Sequence, residues 1–281
     1  MSPRPQWRPR SIRVAVILRA SLVLVALTRA GAARAVVSGE DGGDDAVVAL
    51  VRDEQVVCSG TLVSPTEVLS AAHCFADGAS TSVLLGASIA TASRASIGSV
   101  SIHPRYDRAT LAHDVAIASL VEPILVAPAA LPPAALSLPE TLTIVGFGRA
   151  SNLIGDSAGT KRRGSVRLVT SEPERLELAP GPALTCGGDS GGAIFAEIGG
   201  ERVLVGVVSA GDVFCKTRTS GVRVDAADPF FASLERPNPR SGCGTRTKWP
   251  VVALLALGTV LSLLGWVTSR HAWRNRITVR A

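Results

Sequence analysis

A chain of 281 residues is long enough to form one or two hydrophobic cores, and its formal net charge of +6 is unevenly distributed. All 23 acidic residues but only 16 of the 29 basic residues lie between positions 36 and 240, so this part carries a net charge of −7. The basic residues are concentrated at the two ends, which argues against a nucleic-acid-binding face on the globular part.

The first 35 residues have the pattern of an export signal. Several arginines precede an apolar run from Val14 to Leu27, and Ala33-Arg34-Ala35 fits the small-x-small cleavage rule. We therefore predict a signal peptide over residues 1–35 that signal peptidase removes. An uncleaved membrane anchor is the alternative.

Short alternating or apolar runs fill the body of the chain, and they show no helical periodicity. Such runs predict an all-β fold of the barrel type, with the Pro- and Ala-rich stretch 122–140 as a linker between two sets of strands. Asp228 and Pro229 suit the N-cap and the first position of a short helix near the end of the domain. The predicted strands are 46–51, 55–63, 66–69, 81–85, 115–120, 141–146, 164–170, 175–178, 191–196, 203–209 and 221–224.

The five cysteines favour disulfides over a metal site. They are Cys58, Cys74, Cys186, Cys215 and Cys243. Their spacings do not fit a zinc site, and no acidic stretch has the spacing of a calcium loop, so we expect no metal and no cofactor. An exported chain would pair four cysteines and leave one over.

The C-terminal part predicts a membrane span. Residues 249–269 are 21 uncharged residues between Lys248 and Arg270, and as a helix they would cover about 30 Å. The segments are then a linker (237–248), a transmembrane helix (249–269) and a basic cytoplasmic tail (270–281), with the preceding domain outside the cytoplasm. A buried core helix is the alternative. Cys243 leaves three options open: a simple anchor, a lipid-modified cysteine or a sorting signal cut by a sorting protease.

Three motifs carry the candidate chemistry. Ser190 lies in Cys186-Gly-Gly-Asp-Ser-Gly-Gly192, His73 ends Leu69-Ser-Ala-Ala-His73, and Asp114 begins Asp114-Val-Ala-Ile-Ala118. A serine hydroxyl is a poor nucleophile and needs a base within hydrogen-bond reach, for which an imidazole is suited. A carboxylate can orient that imidazole and stabilise its charged form. His113 is the competing candidate for the base.

The same serine also fits the G-x-S-x-G elbow of α/β-hydrolases. Those enzymes place the acid and then the histidine after the serine. Here the only histidine that follows Ser190 is His271, beyond the predicted membrane helix. This second enzyme class is therefore excluded.

The three motifs, in the chain order His, Asp, Ser, resemble the trypsin/chymotrypsin-like serine endopeptidases over about residues 36–235. The resemblance implies two six-stranded antiparallel β-barrels and a short C-terminal helix, in a protease domain of residues 36–236. It implies hydrolysis of protein or peptide substrates through an acyl-enzyme, which the predicted leader and membrane span would place at the cell surface. A protease-fold binding or adhesion module without turnover is the alternative function.

The resemblance also assigns roles to individual residues. His73, Asp114 and Ser190 would be catalytic, and the backbone N–H groups of Gly188 and Ser190 would form the oxyanion hole. A new α-amino group on Val36 would pair with Asp189, so that signal-peptide cleavage alone would activate the enzyme. The disulfides would be Cys58–Cys74 and Cys186–Cys215.

The specificity pocket follows from the same resemblance. Leu184 would be its floor, with Thr185 as the alternative, and Ser209, Ala210, Gly211 and Gly221 would be its walls. Gly211 would also pair with the substrate backbone, and Ser209 would bond Asp114. An uncharged floor predicts an apolar residue at P1, the substrate residue whose carbonyl is attacked, and poor cleavage after Lys or Arg.

Overall fold

The computed structural model describes residues 36–133, 136–150, 157–225, 227–232 and 234. The predicted signal peptide, linker, transmembrane helix and basic tail lie outside them. Within the described part of the chain, no helix is both long enough and apolar enough to cross a membrane. A two-residue strand, β1 (Glu40–Asp41), comes before the two barrels.

The first half of the domain is a closed antiparallel barrel. Its strands are β2 (Val47–Arg52), β3 (Gln55–Ser64), β4 (Glu67–Ser70), β5 (Ser82–Leu85), β6 (Ser93–Ile102) and β7 (Ala116–Leu120). They close in the order β2-β3-β4-β7-β6-β5. Leu50, Leu62, Leu69, Val83 and Ile117 are buried in its core, as the β-branched and aliphatic strand sequences lead one to expect.

The second half repeats this arrangement. Its strands are β8 (Thr141–Gly146), β9 (Arg162–Ser171), β10 (Arg175–Pro180), β11 (Ala193–Ile198), β12 (Glu201–Gly211) and β13 (Thr219–Arg223). They run in the order β9-β10-β13-β12-β11-β8, and pairing of β8 with β9 closes the ring, while β1 pairs with β9 from outside. A short helix, α1 (Pro229–Ala232), follows. The predicted two six-stranded barrels and C-terminal helix are confirmed.

The segments that carry the three motifs lie where the barrels meet. His73 is in a 3₁₀ turn (Ala72–Cys74) after β4, and Asp114 comes two residues before β7. Ser190 comes three residues before β11 in the second barrel. A backbone hydrogen bond joins the barrels here, because the N–H of Ser59 in β3 donates to the carbonyl oxygen of Ser190 at 2.7 Å.

Candidate active site

Asp114 holds His73 through both of its carboxylate oxygens. Oδ1 accepts the backbone N–H of His73 at 2.9 Å, and Oδ2 accepts the ring Nδ1–H at 2.7 Å. Oδ2 also accepts the hydroxyl of Ser209 at 2.6 Å. Asp114 is fully buried, whereas the His73 side chain is 30% exposed. Because its proton is on Nδ1, His73 keeps the lone pair of Nε2 available as a base.

Ser190 lies in a tight turn between β10 and β11 and lines the same cleft as His73. Its hydroxyl donates to the carbonyl oxygen of Ser209 at 3.4 Å. The next residue, Gly191, has a φ of +80°, and a Cβ there would overlap the hydroxyl oxygen of Ser70 and the carbonyl oxygen of Ser59. Glycine is therefore required directly after the serine.

Asp189 is buried beneath this turn. Its Oδ1 accepts the N–H of Gly148 at 2.8 Å and its Oδ2 accepts the N–H of Cys186 at 2.9 Å. Burial raises the pKa of Asp189 to about 6 in spite of these two bonds. Among the described residues, no basic side chain forms an ion pair with this carboxylate, and the charge of Arg162 lowers its pKa by less than burial raises it. Gly188, the residue before it, has a φ of +97°.

Ser59 is a residue of this site that the sequence did not single out. It is fully buried, its hydroxyl donates to the carbonyl oxygen of Gly188 at 2.9 Å, and the same oxygen accepts the N–H of Phe147 at 2.9 Å. Together with its backbone bond to Ser190, the bond to Gly188 holds the serine turn, and the bond from Phe147 ties Ser59 to the end of β8. A serine in an apolar strand gives no sequence signal for such a role.

The cleft has a volume of about 550 Å³. It is lined by His73, Tyr106, Arg108, Leu111, Arg149, Thr185, Cys186, Gly187, Ser190, Val208, Ser209, Ala210, Gly211, Asp212, Val213 and Cys215. Two disulfides hold its rim, Cys58–Cys74 behind His73 and Cys186–Cys215 beside the serine turn. His113, the competing base, lies outside this lining and stacks on His103.

Three of the five residues predicted for the pocket line this cleft. Ser209, Ala210 and Gly211 line the cleft, but Leu184 and Gly221 do not. Leu184 is buried and its backbone pairs with Val37, so its side chain faces away from the cleft and that of Thr185 faces toward it. Gly221 pairs with Val208 inside the sheet.

A pair of threonines closes the inner end of the cleft. The hydroxyls of Thr185 and Thr219 are 2.5 Å apart, and both residues are buried. Thr219 pairs with Gly211 across β12 and β13, and a Cβ on Gly211 would lie 3.2 Å from the Thr185 hydroxyl. In the sequence, the only signal for this arrangement was Thr185, which directly follows the expected pocket floor Leu184.

The entrance is shaped by a loop, residues 212–218, that folds around Asp212. Its Oδ2 accepts the N–H groups of Lys216, Thr217 and Arg218, and its Oδ1 accepts that of Phe214. These bonds, above all the one from Thr217, hold the pKa of Asp212 well below its usual range. The carboxylate is thus fully used within the loop.

Comparison with known proteins agrees with this geometry, since residues 36–230 match the family model for Trypsin. The chain belongs to the trypsin family. It is 30% identical over 226 residues to Trypsin of Saccharopolyspora erythraea, an alignment that covers 70% of this chain and 97% of that protein. This trypsin-family chain is a serine endopeptidase that acts on protein or peptide substrates.

Two animal members of the trypsin family are also similar to the chain. Human Serine protease 56 is 30% identical over 187 residues, which cover 56% of this chain and 31% of that protein. Rat Transmembrane protease serine 9 is 30% identical over 203 residues, which cover 62% of this chain and 19% of that protein. The chain therefore spans less than a third of the length of either animal relative.

Proposed function

We propose that this chain is an exported serine endopeptidase, tethered to the membrane at the cell surface, that cleaves peptide bonds after uncharged, apolar residues. The observation that carries the proposal is the 2.7 Å contact between the buried Asp114 and His73, which lines one cleft together with Ser190. A buried carboxylate, an oriented imidazole and a serine hydroxyl are the groups that acyl transfer needs.

The reaction follows from the positions of these groups. The Ser190 hydroxyl turns from Ser209 toward His73, gives its proton to Nε2 and attacks the substrate carbonyl carbon. The N–H groups of Gly188 and Ser190 stabilise the oxyanion, an effect of about 3 to 4 kcal/mol per donor. His73 then protonates the leaving amine, and an ester to Ser190 remains. Water, deprotonated by His73, hydrolyses this ester.

The selectivity for uncharged residues rests on the carboxylates near the cleft. Among the described residues that line it, Asp212 is the only acid, and its oxygens are taken by the N–H groups of its own loop. A Lys or Arg side chain would thus find no carboxylate in the cleft that is free of loop hydrogen bonds to pair with, and an unpaired desolvated charge costs several kcal/mol. The Thr185–Thr219 pair limits the depth, which favours short side chains.

Two aspartate substitutions test this assignment. The full chain, expressed with its leader in an exporting host, is assayed on a mixed peptide library beside Ser190→Ala, which should cleave nothing. Thr185→Asp should add cleavage after Lys and Arg, because it places a carboxylate in the cleft. The matched variant Leu184→Asp should not. Cleavage after Lys or Arg by Leu184→Asp would show that Leu184 is the pocket floor. If the parent chain cleaves no peptide, the alternative function as a binding module is favoured.

Activation is proposed to need signal peptidase alone. Val36 is fully buried, Val37 pairs with Leu184, and the buried Asp189 has no ion-pair partner among the described residues. Val36 also has a φ of +42°, which is unfavourable for a β-branched residue. Cleavage before Val36 removes this torsion and supplies an amine for Asp189. N-terminal sequencing of the active protein should begin at Val36, and a start at another residue would contradict the proposal.

Export and tethering are supported by the two disulfides, which persist in oxidising compartments, and by the apolar segment 249–269. The protease domain should be accessible to protease added to intact cells and should sediment with membranes. Mass spectrometry of the mature C-terminus distinguishes an intact anchor from a lipidated Cys243 or a cut sorting signal. A soluble cytoplasmic protein with residues 1–35 intact would contradict both the proposed export and the proposed membrane tether.

A further inference from the structure

Two arginines line the cleft that also contains His73 and Ser190. Arg108 belongs to the loop between β6 and β7 in the first barrel, and Arg149 follows β8 in the second barrel. Both arginines are exposed to solvent. Because the cleft has a volume of about 550 Å³, a peptide bound in it lies near both guanidinium groups. The proposed reaction uses neither of them.

Neither guanidinium forms an ion pair with a carboxylate of the described residues. Most of the described arginines outside the cleft do form one, for example Arg52 with Asp77 at 2.7 Å and Arg94 with Glu54 at 2.6 Å. Acids are not scarce, since residues 36–240 carry a net charge of −7. The two cleft arginines thus present positive charge in a domain that is otherwise acidic.

The other lining residues do not neutralise this charge. Asp212 is the only acid among the described lining residues, and its oxygens accept N–H groups of the loop 212–218. With His73 neutral, two arginines and one aspartate leave the described lining with a net charge of +1. A cleft lined by one sign of charge attracts substrate groups of the opposite sign. Acidic side chains of a polypeptide are such groups.

Arg108 lies on the side of the catalytic imidazole, as its effect on Tyr106 indicates. Burial raises the pKa of Tyr106, the negative charge of Asp114 raises it further, and the positive charge of Arg108 lowers it. The same phenol therefore lies near both the carboxylate that holds His73 and the guanidinium of Arg108. The charge of Arg108 is thus close to the base.

Arg149 lies on the side of the oxyanion donors. Its backbone N–H donates to the carbonyl oxygen of Gly187 at 2.8 Å. Gly187 directly precedes Gly188, whose N–H is a proposed oxyanion donor. The bond to be cleaved lies between the base and the oxyanion donors, so the two cleft arginines flank it. They therefore face different residues of the substrate.

We propose that Arg108 and Arg149 select polypeptides that carry an aspartate or a glutamate on each side of the cleaved bond. A guanidinium can donate two parallel N–H groups to one carboxylate, which both of these side chains supply. The inference rests on the proposed cleavage by Ser190, but it does not depend on the residue preferred at P1. The substrate class is thus a polypeptide with acidic residues around its cleavage site.

Pairs of peptides that differ by one charge test this selectivity. All share the residue that the parent chain prefers at P1, and each pair has Asp or Asn, or Glu or Gln, at one position near the cleaved bond. The processed full chain should cleave the acidic peptide with a kcat/KM about three- to tenfold higher at one position on each side, chiefly through a lower KM. About 0.5 M salt should remove most of this difference, because it screens exposed charges.

The peptide pairs distinguish two kinds of failure. Equal kcat/KM for the acidic and the amide peptides would overturn the selectivity and leave the endopeptidase function intact. No cleavage of any peptide would overturn the proposed function and the selectivity together.

Charge changes at single arginines test the assignment. Arg108→Gln and Arg149→Gln should each abolish the preference at one position and keep it at the other. Arg108→Glu and Arg149→Glu should reverse it, so that a peptide with lysine at that position is cleaved faster than its glutamine counterpart. A misfolded variant cannot show such a gain.

Arg167→Gln is the matched control. It removes the same charge from an exposed residue of β9 that lies outside the cleft lining, so it should keep both preferences. Retention of both preferences in the Arg108 and Arg149 variants, or an equal loss in Arg167→Gln, would overturn the proposal.

Discussion

Ser59 connects the two barrels through three hydrogen bonds, two to the serine turn and one from Phe147. Ser59→Ala leaves the N–H of Phe147 and the carbonyl of Gly188 without this partner, at about 1 to 3 kcal/mol each. We expect a loss of about 2 to 6 kcal/mol in the free energy of unfolding. We also expect kcat to fall about 10- to 100-fold with little change in KM, since the neighbouring N–H of Gly188 is the proposed oxyanion donor.

Thr61, two residues further along β3, is a matched control for Ser59. It is equally buried, and its hydroxyl has no hydrogen-bond partner among the described residues. Thr61→Val should therefore leave kcat unchanged and be neutral or stabilising. Urea unfolding and steady-state kinetics measure both effects. Similar losses in the two variants would contradict a specific role for Ser59.

Asp189 predicts a difference in pH dependence between the processed and unprocessed chains. Burial raises its pKa from 3.8 in the unfolded chain to about 6 in the folded structure. Between pH 3.8 and pH 6, the folded state therefore binds more protons than the unfolded chain. The free energy of unfolding should thus fall by up to about 3 kcal/mol as the pH rises from 4 through 6. An amine on Val36 lowers this pKa and removes the decline.

The measurement compares urea unfolding from pH 4 to pH 7 in two full-length chains that both carry Ser190→Ala. One is processed, and the other carries Ala35→Arg to block signal peptidase. The decline should be present only in the blocked chain, and Asp189→Asn should abolish it there. A decline of equal size in the processed chain would show that Val36 does not pair with Asp189.

At the scale of single residues, the sequence predicted the residues that lie in a recognisable motif. It missed the residues whose role depends on packing against distant parts of the chain. His73, Asp114 and Ser190 could be named because three residue types in a fixed order carry specific chemistry. The structure brings His73 and Ser190 to one cleft and bonds the buried Asp114 to His73. Leu184 and Thr185 could not be told apart, because the pairing of Leu184 with Val37 turns one side chain inward and the other toward the cleft. That pairing involves residues far apart in sequence.

The loop 212–218 behaves as one element because Asp212 closes it. It exposes Val213 and Phe214 at 83% and 62% on the rim of the cleft. Asp212→Ala should free the loop and raise KM about three- to tenfold, with a smaller effect on kcat, because substrate binding must then order it. The low pKa of Asp212 means that the loop should remain closed as the pH falls through the usual range of carboxyl groups.

Asp225→Ala is the control for the loop, because Asp225 also accepts a nearby backbone N–H, that of Ala227, but lies outside the cleft lining. Steady-state kinetics and limited proteolysis at Phe214 follow the two variants. Unchanged KM and unchanged proteolysis in Asp212→Ala would show that the disulfide of Cys215 is sufficient to hold the loop.

The sequence predicted those strands that bury at least one face in a barrel core. The eleven predicted runs correspond to strands in both barrels, with ends displaced by a few residues, because their aliphatic residues fill the cores. β6 was missed, and most of its residues are exposed. Its sequence is rich in serine, and it becomes a strand because β5 and β7 pair with its backbone and close the barrel. Such closure has no local signal.

In the whole molecule, each disulfide strengthens one half of the cleft. Cys58–Cys74 joins residues 16 apart in the first barrel, and Cys186–Cys215 joins residues 29 apart in the second. In the chain-entropy model, replacing either pair with alanines lowers the free energy of unfolding by between about 3 and 4 kcal/mol. Similar losses of stability should nonetheless have different kinetic consequences.

The difference follows from what each disulfide holds. Cys74 directly follows His73, so loss of the first disulfide should loosen the base and lower kcat. Cys215 belongs to the loop 212–218, so loss of the second should loosen the rim and mainly raise KM. Both alanine pairs, compared by urea unfolding and by kinetics at a temperature where both are folded, test this division. The same change in kcat and KM for both pairs would show that the two barrels respond as one body.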